Sequence, residues 1–144
     1  MAELTDEVRT WLTRRHQAVL ITIRANGAPQ SSNVGTAFDG TDFHVSVTAS
    51  RAKTRNLLRD PRATMHVLGP NFWAFASVLC TAEVGAISTE PGDQPGQDLL
   101  TLYNSISDVP HPNPAEFFQA MVDERRLRLT LHPLSVSGNG WQAR

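Results

Sequence analysis

At 144 residues the chain is sized for one domain, 1–144, with a proper core; its 13 Lys plus Arg against 14 Asp plus Glu give a formal net charge of −1, without the basic surplus of a general nucleic-acid binder. The single cysteine, Cys80, excludes an internal disulfide framework and a thiolate metal cage. No apolar run follows a basic start and none is long enough to span a bilayer, so the expectation is a cytoplasmic protein that engages neither membrane nor nucleic acid.

Leu4, Val8, Trp11 and Leu12 keep helical spacing and predict an amphipathic helix over 3–16, capped by Thr5 or Asp6, with Trp11 as a core plug. Ala18 to Arg24 is a β-branched run ended by Asn26-Gly27, a hairpin signal because both residues tolerate positive φ. The return strand starts at Pro29-Gln30 and runs to Phe38, and it is polar for a strand of a compact domain. Gln30, Ser32, Val34 and Thr36 share one face; Ser31, Asn33 and Gly35 share the other. Two readings stand: an edge strand with a watered face, or a strand whose amides and hydroxyls meet the polar edge of a bound ring. A third strand follows over 42–48, with His44 on its wetter face beside Ser46.

Residues 46–62 read as a strand end, a small-residue turn and a short helix stopped by Pro61. Ser50 stands where an N-cap is wanted. Arg51, Lys53 and Arg55 follow at once, with Asn56 close by. A helix start offers free N–H donors and the positive end of the dipole, while Arg and Lys add recognition of an anionic group. The pattern predicts a phosphate grip. A plainer reading also fits: Arg51, Arg55 and Arg59 lie four apart and form a solvated face, with Leu57 and Leu58 toward the core.

Residues 63–68 predict a fourth strand. Neither His66 nor His44 has a second ligand at metal-binding spacing, so no metal site is expected. The stretch 73–87 is the longest strand-like segment, with Trp73, Phe75 and Ser77 on one side, either as core or as one wall of a flat-ring site. Prolines and glycines over 88–114 predict a loop with a short helix near 98–103. Pro114 opens a helix through Glu124, and 127–131 alternates as the last main strand, leaving the end from Val136 short and weak. Tyr103 and His66 are titratable candidates for a proton donor, but neither has an identifiable partner, so no catalytic residue is assigned.

Several short strands, an early hairpin and helices as lids predict a mainly β fold, a closed antiparallel barrel. The runs Gly27-Ala28-Pro29-Gln30-Ser31-Ser32-Asn33-Val34, Ser50-Arg51-Ala52-Lys53-Thr54-Arg55-Asn56-Leu57, Arg59-Asp60-Pro61-Arg62-Ala63 and Trp73-Ala74-Phe75 resemble the split-barrel superfamily of pyridoxamine 5′-phosphate oxidase. Within it the chain is most similar to an actinobacterial family that uses the deazaflavin coenzyme F-420. The resemblance implies a Greek-key, FMN-binding type split β-barrel that forms a homodimer, with cofactor sites along the subunit interface. It implies that Arg51, Lys53 and Asn56 hold the cofactor phosphate, that Gln30, Asn33 and Ser46 line the ring edge, and that Trp73 and Phe75 reach in from the neighbouring subunit. Arg55 and Arg59 would meet the anionic tail of coenzyme F-420. Ser50 departs from the family pattern, which has proline there. The expected activity is hydride transfer between reduced coenzyme F-420 and a small-molecule acceptor. The alternatives are an FMN-dependent oxidase or reductase and a non-catalytic flavin or deazaflavin carrier.

Overall fold

A computed structural model describes residues 2–142. In chain order its elements are α1 (Asp6–Thr13), β1 (Gln17–Ile23), β2 (Pro29–Gly35), β3 (Ala37–Phe38), β4 (Phe43–Thr48) and α2 (Ala52–Arg59). There follow β5 (Arg62–Leu68), β6 (Phe75–Val84), α3 (Gln94–Ile106), α4 (Pro114–Asp123) and β7 (Arg126–Asn139). The strands form one seven-stranded antiparallel sheet in the order β2-β1-β5-β6-β7-β4-β3. Its two outermost strands, β2 and β3, are consecutive in the chain and separated only by Thr36. Thr36 is buried, its N–H donates to His16 O and its hydroxyl to His44 O. One bent segment therefore supplies both edges of the sheet and curls it into a split barrel, the fold expected from sequence.

Alternation fills the interior. Leu20, Met65, Val67, Val78, Leu129 and Leu131 point inward from their strands and pack on Phe43 and Val45. Helix α1 plugs one end with Val8, Trp11 and Leu12, and Thr5 caps it by accepting the Val8 N–H at 3.3 Å. Cys80 is part of this core; burial pushes its thiol up to about 12, which keeps it an inert apolar residue.

Four expectations need correction. The β1–β2 connection uses positive φ at Gly27 alone, because Asn26 instead accepts the Ala28 N–H with its side chain. Residues 94–106 form a helix of 13 residues where a loop with a short helix was expected. Trp73 lies in the turn before β6, not in the strand. β7 continues past Leu131 to Asn139; Pro133, which has no N–H to give a ladder, stands opposite Cys80 beside a bulge in which Leu134 has no opposite residue on β6. Among the described residues no helix is long and apolar enough to cross a membrane.

Candidate functional site

The site is built where β4 ends and α2 begins. Helix α2 starts at Ala52, with Arg51 at the N-cap and no side-chain cap; the expected Ser50 cap is not formed. The Thr54 N–H turns back to Arg51 O at 3.1 Å, which leaves the Ala52 and Lys53 N–H groups without a partner among the described residues. Leu58, expected in the core, is 68% exposed, whereas Thr54, Asn56 and Leu57 form the buried face. Lys53 is half-buried, and burial, together with the neighbouring Arg51 and Arg126, holds its ammonium below the ordinary lysine range. Three cations thus converge on the open end of a helix. Among the described residues no carboxylate pairs with Arg51 or Lys53.

Arg126 carries no local sequence signal. It joins the cluster because it stands opposite Thr48 in the β4–β7 ladder, and the Ala49 N–H donates to Arg125 O, clamping the turn to the start of β7. Its guanidinium donates to Ser46 Oγ at 3.4 Å and to Glu124 Oε1 at 3.1 Å. Strand pairing thereby brings together Ser46, Lys53 and Arg51 from one stretch of chain and Arg126 from another.

Asn56 and Gln30 have a different place. Asn56 is buried; its amide donates to Thr22 Oγ1 at 3.1 Å, and its oxygen accepts from Arg59 Nη2 at 3.0 Å. Thr22 Oγ1 in turn donates to Gln30 Oε1, and Gln30 Nε2 donates to Ser32 Oγ at 2.8 Å and to Ser31 O. This chain of bonds ties α2 to β1 and β2 and uses both ends of Gln30 and Asn56. Arg59 also donates to Ile23 O at 2.8 Å through the same Nη2, which ties this side chain to β1 as well as to Asn56. Arg55 is exposed and carries no such bond.

Asn33 is exposed on β2 and borders a hollow of about 610 Å³ with His16, Leu68 and Ile106. Gly35 and Ile106 also line a chamber of about 440 Å³ that opens between α3 and α4 and has Ser46 and Arg126 in its wall. The two spaces make one groove along β2. Trp73 and Phe75 lie elsewhere within the chain. Phe75 stands opposite Asn139, at the far end of β7 from Arg126, and stacks on His66 at 5.1 Å. Trp73 is at the hairpin tip, edge-on to Phe72 at 4.8 Å. Neither reaches the cation cluster of its own chain.

The residues fit a phosphate-bearing flat cofactor: an open helix start with three cations for the phosphate, and a polar strand edge with Ser46 for a ring. The pyridoxamine 5′-phosphate oxidase family matches residues 4–129. Among solved structures, the chain is similar to an F-420 reductase (25% identity, TM-score 0.65), with 90% of this chain and 94% of that one covered. It is also similar to a conserved hypothetical protein of Mycobacterium tuberculosis (17%, TM-score 0.69, 94% and 84% covered). A third likeness is to HutZ, a heme storage protein of Vibrio cholerae (15%, TM-score 0.64, 97% and 96% covered). The last two share the fold alone. From α1 through most of the β4–β7 ladder that carries the cation cluster, this chain belongs to the pyridoxamine 5′-phosphate oxidase family of flavin-binding split barrels.

Proposed function

We propose that the protein is a homodimeric, F-420-dependent oxidoreductase acting on a small-molecule acceptor. The observation that carries this reading is the convergence of Arg51, Lys53 and Arg126 on the uncapped start of α2, where an anionic group would offset the burial and the repulsion that together depress Lys53. Arg55, exposed one turn further along the same helix, suits an anion that extends beyond a single phosphate. That favours the deazaflavin over FMN, and the likeness to an F-420 reductase points the same way. A bound deazaflavin supplies hydride chemistry at its ring. The chain would anchor the phosphate with Arg51, Lys53 and Arg126 and offer Ser46 and Asn33 to the ring edge. Gln30 and Asn56 would keep β2 and α2 in register, and Trp73 and Phe75 would serve the site of a second copy.

Calorimetric titration of wild type and Lys53→Ala with coenzyme F-420 and with FMN tests the reading. Coenzyme F-420 binds wild type more tightly than FMN does. Lys53→Ala weakens cofactor binding by about one to two decades, the loss of a charge-assisted contact of about 1.5–3 kcal/mol. Added salt narrows the difference. The free variant melts no lower than wild type, because Lys53 has no ion pair to lose and two cations as neighbours. Tighter FMN binding would overturn the cofactor choice, and an unchanged affinity in the variant would overturn the grip.

A further inference from the structure

Helices α3 and α4 do more than cover the barrel. They carry a small core of their own, Leu99, Phe117 and Met121, separate from the barrel interior. The chamber of about 440 Å³ between them falls within the roughly 300–1,000 Å³ typical of small-ligand sites. Its walls are the aliphatic side chains of α3 and a ring cluster. Tyr103, His111 and Phe117 meet edge-on in all three pairings, with centroids 5.1–5.6 Å apart. Aromatic edges and aliphatic groups around a slot of this size favour a flat ring.

Hydrogen bonds fix the orientation of His111. Its backbone N–H donates to Asn104 Oδ1 at 3.0 Å, which fixes the loop against α3. Its Nδ1 lies 3.1 Å from the backbone N of Asn113, and a backbone N–H can only donate, so Nδ1 is the acceptor. The neutral ring then carries its proton on Nε2, a donor with no partner among the described residues, on the aromatic side of the chamber. The charged groups around the chamber already have partners: Glu124 with Arg126 at 3.1 Å, and Glu116 with the Asn113 side chain at 3.3 Å. An ionic ligand would have to compete with those pairs; a neutral one would not.

We propose that the α3–α4 chamber binds a flat, uncharged aromatic molecule carrying one hydrogen-bond acceptor, which takes the Nε2–H of His111. Calling that ligand the hydride acceptor rests on the cofactor reading above, since Ser46 and Arg126 line the chamber and are also given to the cofactor there; its binding does not. The test therefore uses cofactor-free protein. The probe is prodan, a neutral naphthalene ketone whose emission shifts to shorter wavelength in apolar surroundings and to longer wavelength when its carbonyl is hydrogen-bonded.

Saturable binding with a blue-shifted emission is expected. His111→Phe keeps the ring contacts and removes the donor. It weakens prodan binding about tenfold and moves the bound emission further to the blue. On wild type, displacement of prodan by acetylnaphthalene needs about tenfold less competitor than displacement by naphthalene, which lacks the carbonyl; in His111→Phe that gap closes. Should His111→Phe fail to fold, the two competitors on wild type decide alone. No saturable prodan binding, or equal potency of the two competitors on wild type, overturns the proposal. Neither result touches the Lys53→Ala titration, so loss of the chamber and loss of the cofactor reading are read separately.

Discussion

Lys53 and Asn56 lie three residues apart on one short helix and have opposite fates. Lys53 sits among like charges and has no ion pair among the described residues; Asn56 is buried and bonded at both ends, to Thr22 and Arg59. The difference follows from which side of α2 faces β1, and it separates the residue proposed to meet an anion from one that fixes the frame. A second residue whose environment decides its charge is His132. Its ring nitrogens lie 2.8 Å from Asp42 Oδ1 and 3.1 Å from Glu83 Oε2, so protonated His132 ties the start of β4 to β6 across β7. The bond to Asp42, then that to Glu83, raises its pKa above the ordinary 6.5. A raised folded value means the stabilisation is fully present below about 6.5 and is lost as pH rises through the raised value. The side chain is partly exposed, so solvent screens the effect and it is small. Melting temperatures of wild type and His132→Gln measured across that window should differ most on the acid side and converge above it. A difference independent of pH would show that the histidine acts through packing alone.

At the scale of elements, the turn from α4 into β7 determines where Arg126 stands. Arg125 adopts φ 52, the only left-handed non-glycine residue among those described. Its N–H donates to Val122 O, its carbonyl accepts from Ala49, and its side chain is exposed. Arg125→Gly keeps both bonds and removes a steric cost of about 1–2 kcal/mol, partly offset by the greater freedom of glycine in the unfolded chain. A net gain of about 0.5–1 kcal/mol in urea unfolding is expected; a loss would mean the arginine side chain holds the turn. The sequence displays neither this turn nor its consequence. β1, the hairpin at Gly27, α1 with its Thr5 cap and the α2 segment were legible because their signals are local. Helix α3 was hidden by Pro95 and Gly96, which read as breakers. Pro95 in fact lies in the first turn, where its missing N–H costs nothing, and Asp93 caps the helix through Gly96 while also accepting from Thr89, Glu90 and Ser88. Its carboxyl is held at about 2, first by the Thr89 N–H. Pro133 concealed the second half of β7 in the same way. Within the site, Arg51 and Lys53 were readable from charge at a helix start, whereas Arg126 depends on the register Thr48 to Arg126, which no local pattern reports.

For the whole molecule, the outer face of the sheet is the surface left to explain. Inward residues alternate strictly on β1, β5 and β6, so Val19, Ile21, Thr64, His66, Phe75, Ser77 and Leu79 project outward together. The ladders place Val19 beside His66 and Ser77, and Ile21 beside Thr64 and Leu79. That patch contains no Asp, Glu, Lys or Arg, and Leu79 and Leu68 at its border are 39% and 42% exposed. Beyond it the hairpin tip holds out Phe72 at 84% and Trp73 at 73% exposure. An uncharged sheet face with projecting aromatics is costly to leave in water. A second copy of the chain, related by a two-fold axis, would cover it and carry each hairpin tip toward its neighbour's groove, a distance Trp73 does not span within its own chain. Light scattering at micromolar concentration is therefore expected to give about twice the chain mass of 15.8 kDa. Leu79→Glu sets a carboxylate into the patch without removing any core contact. It should give the single-chain mass with an unchanged strand signature in circular dichroism, and it should weaken cofactor binding although the residue lies far from Lys53. A wild-type protein of single-chain mass would sink the dimer. A monomeric Leu79→Glu with full cofactor affinity would show that one chain completes the site, and Trp73 would then have no part in it.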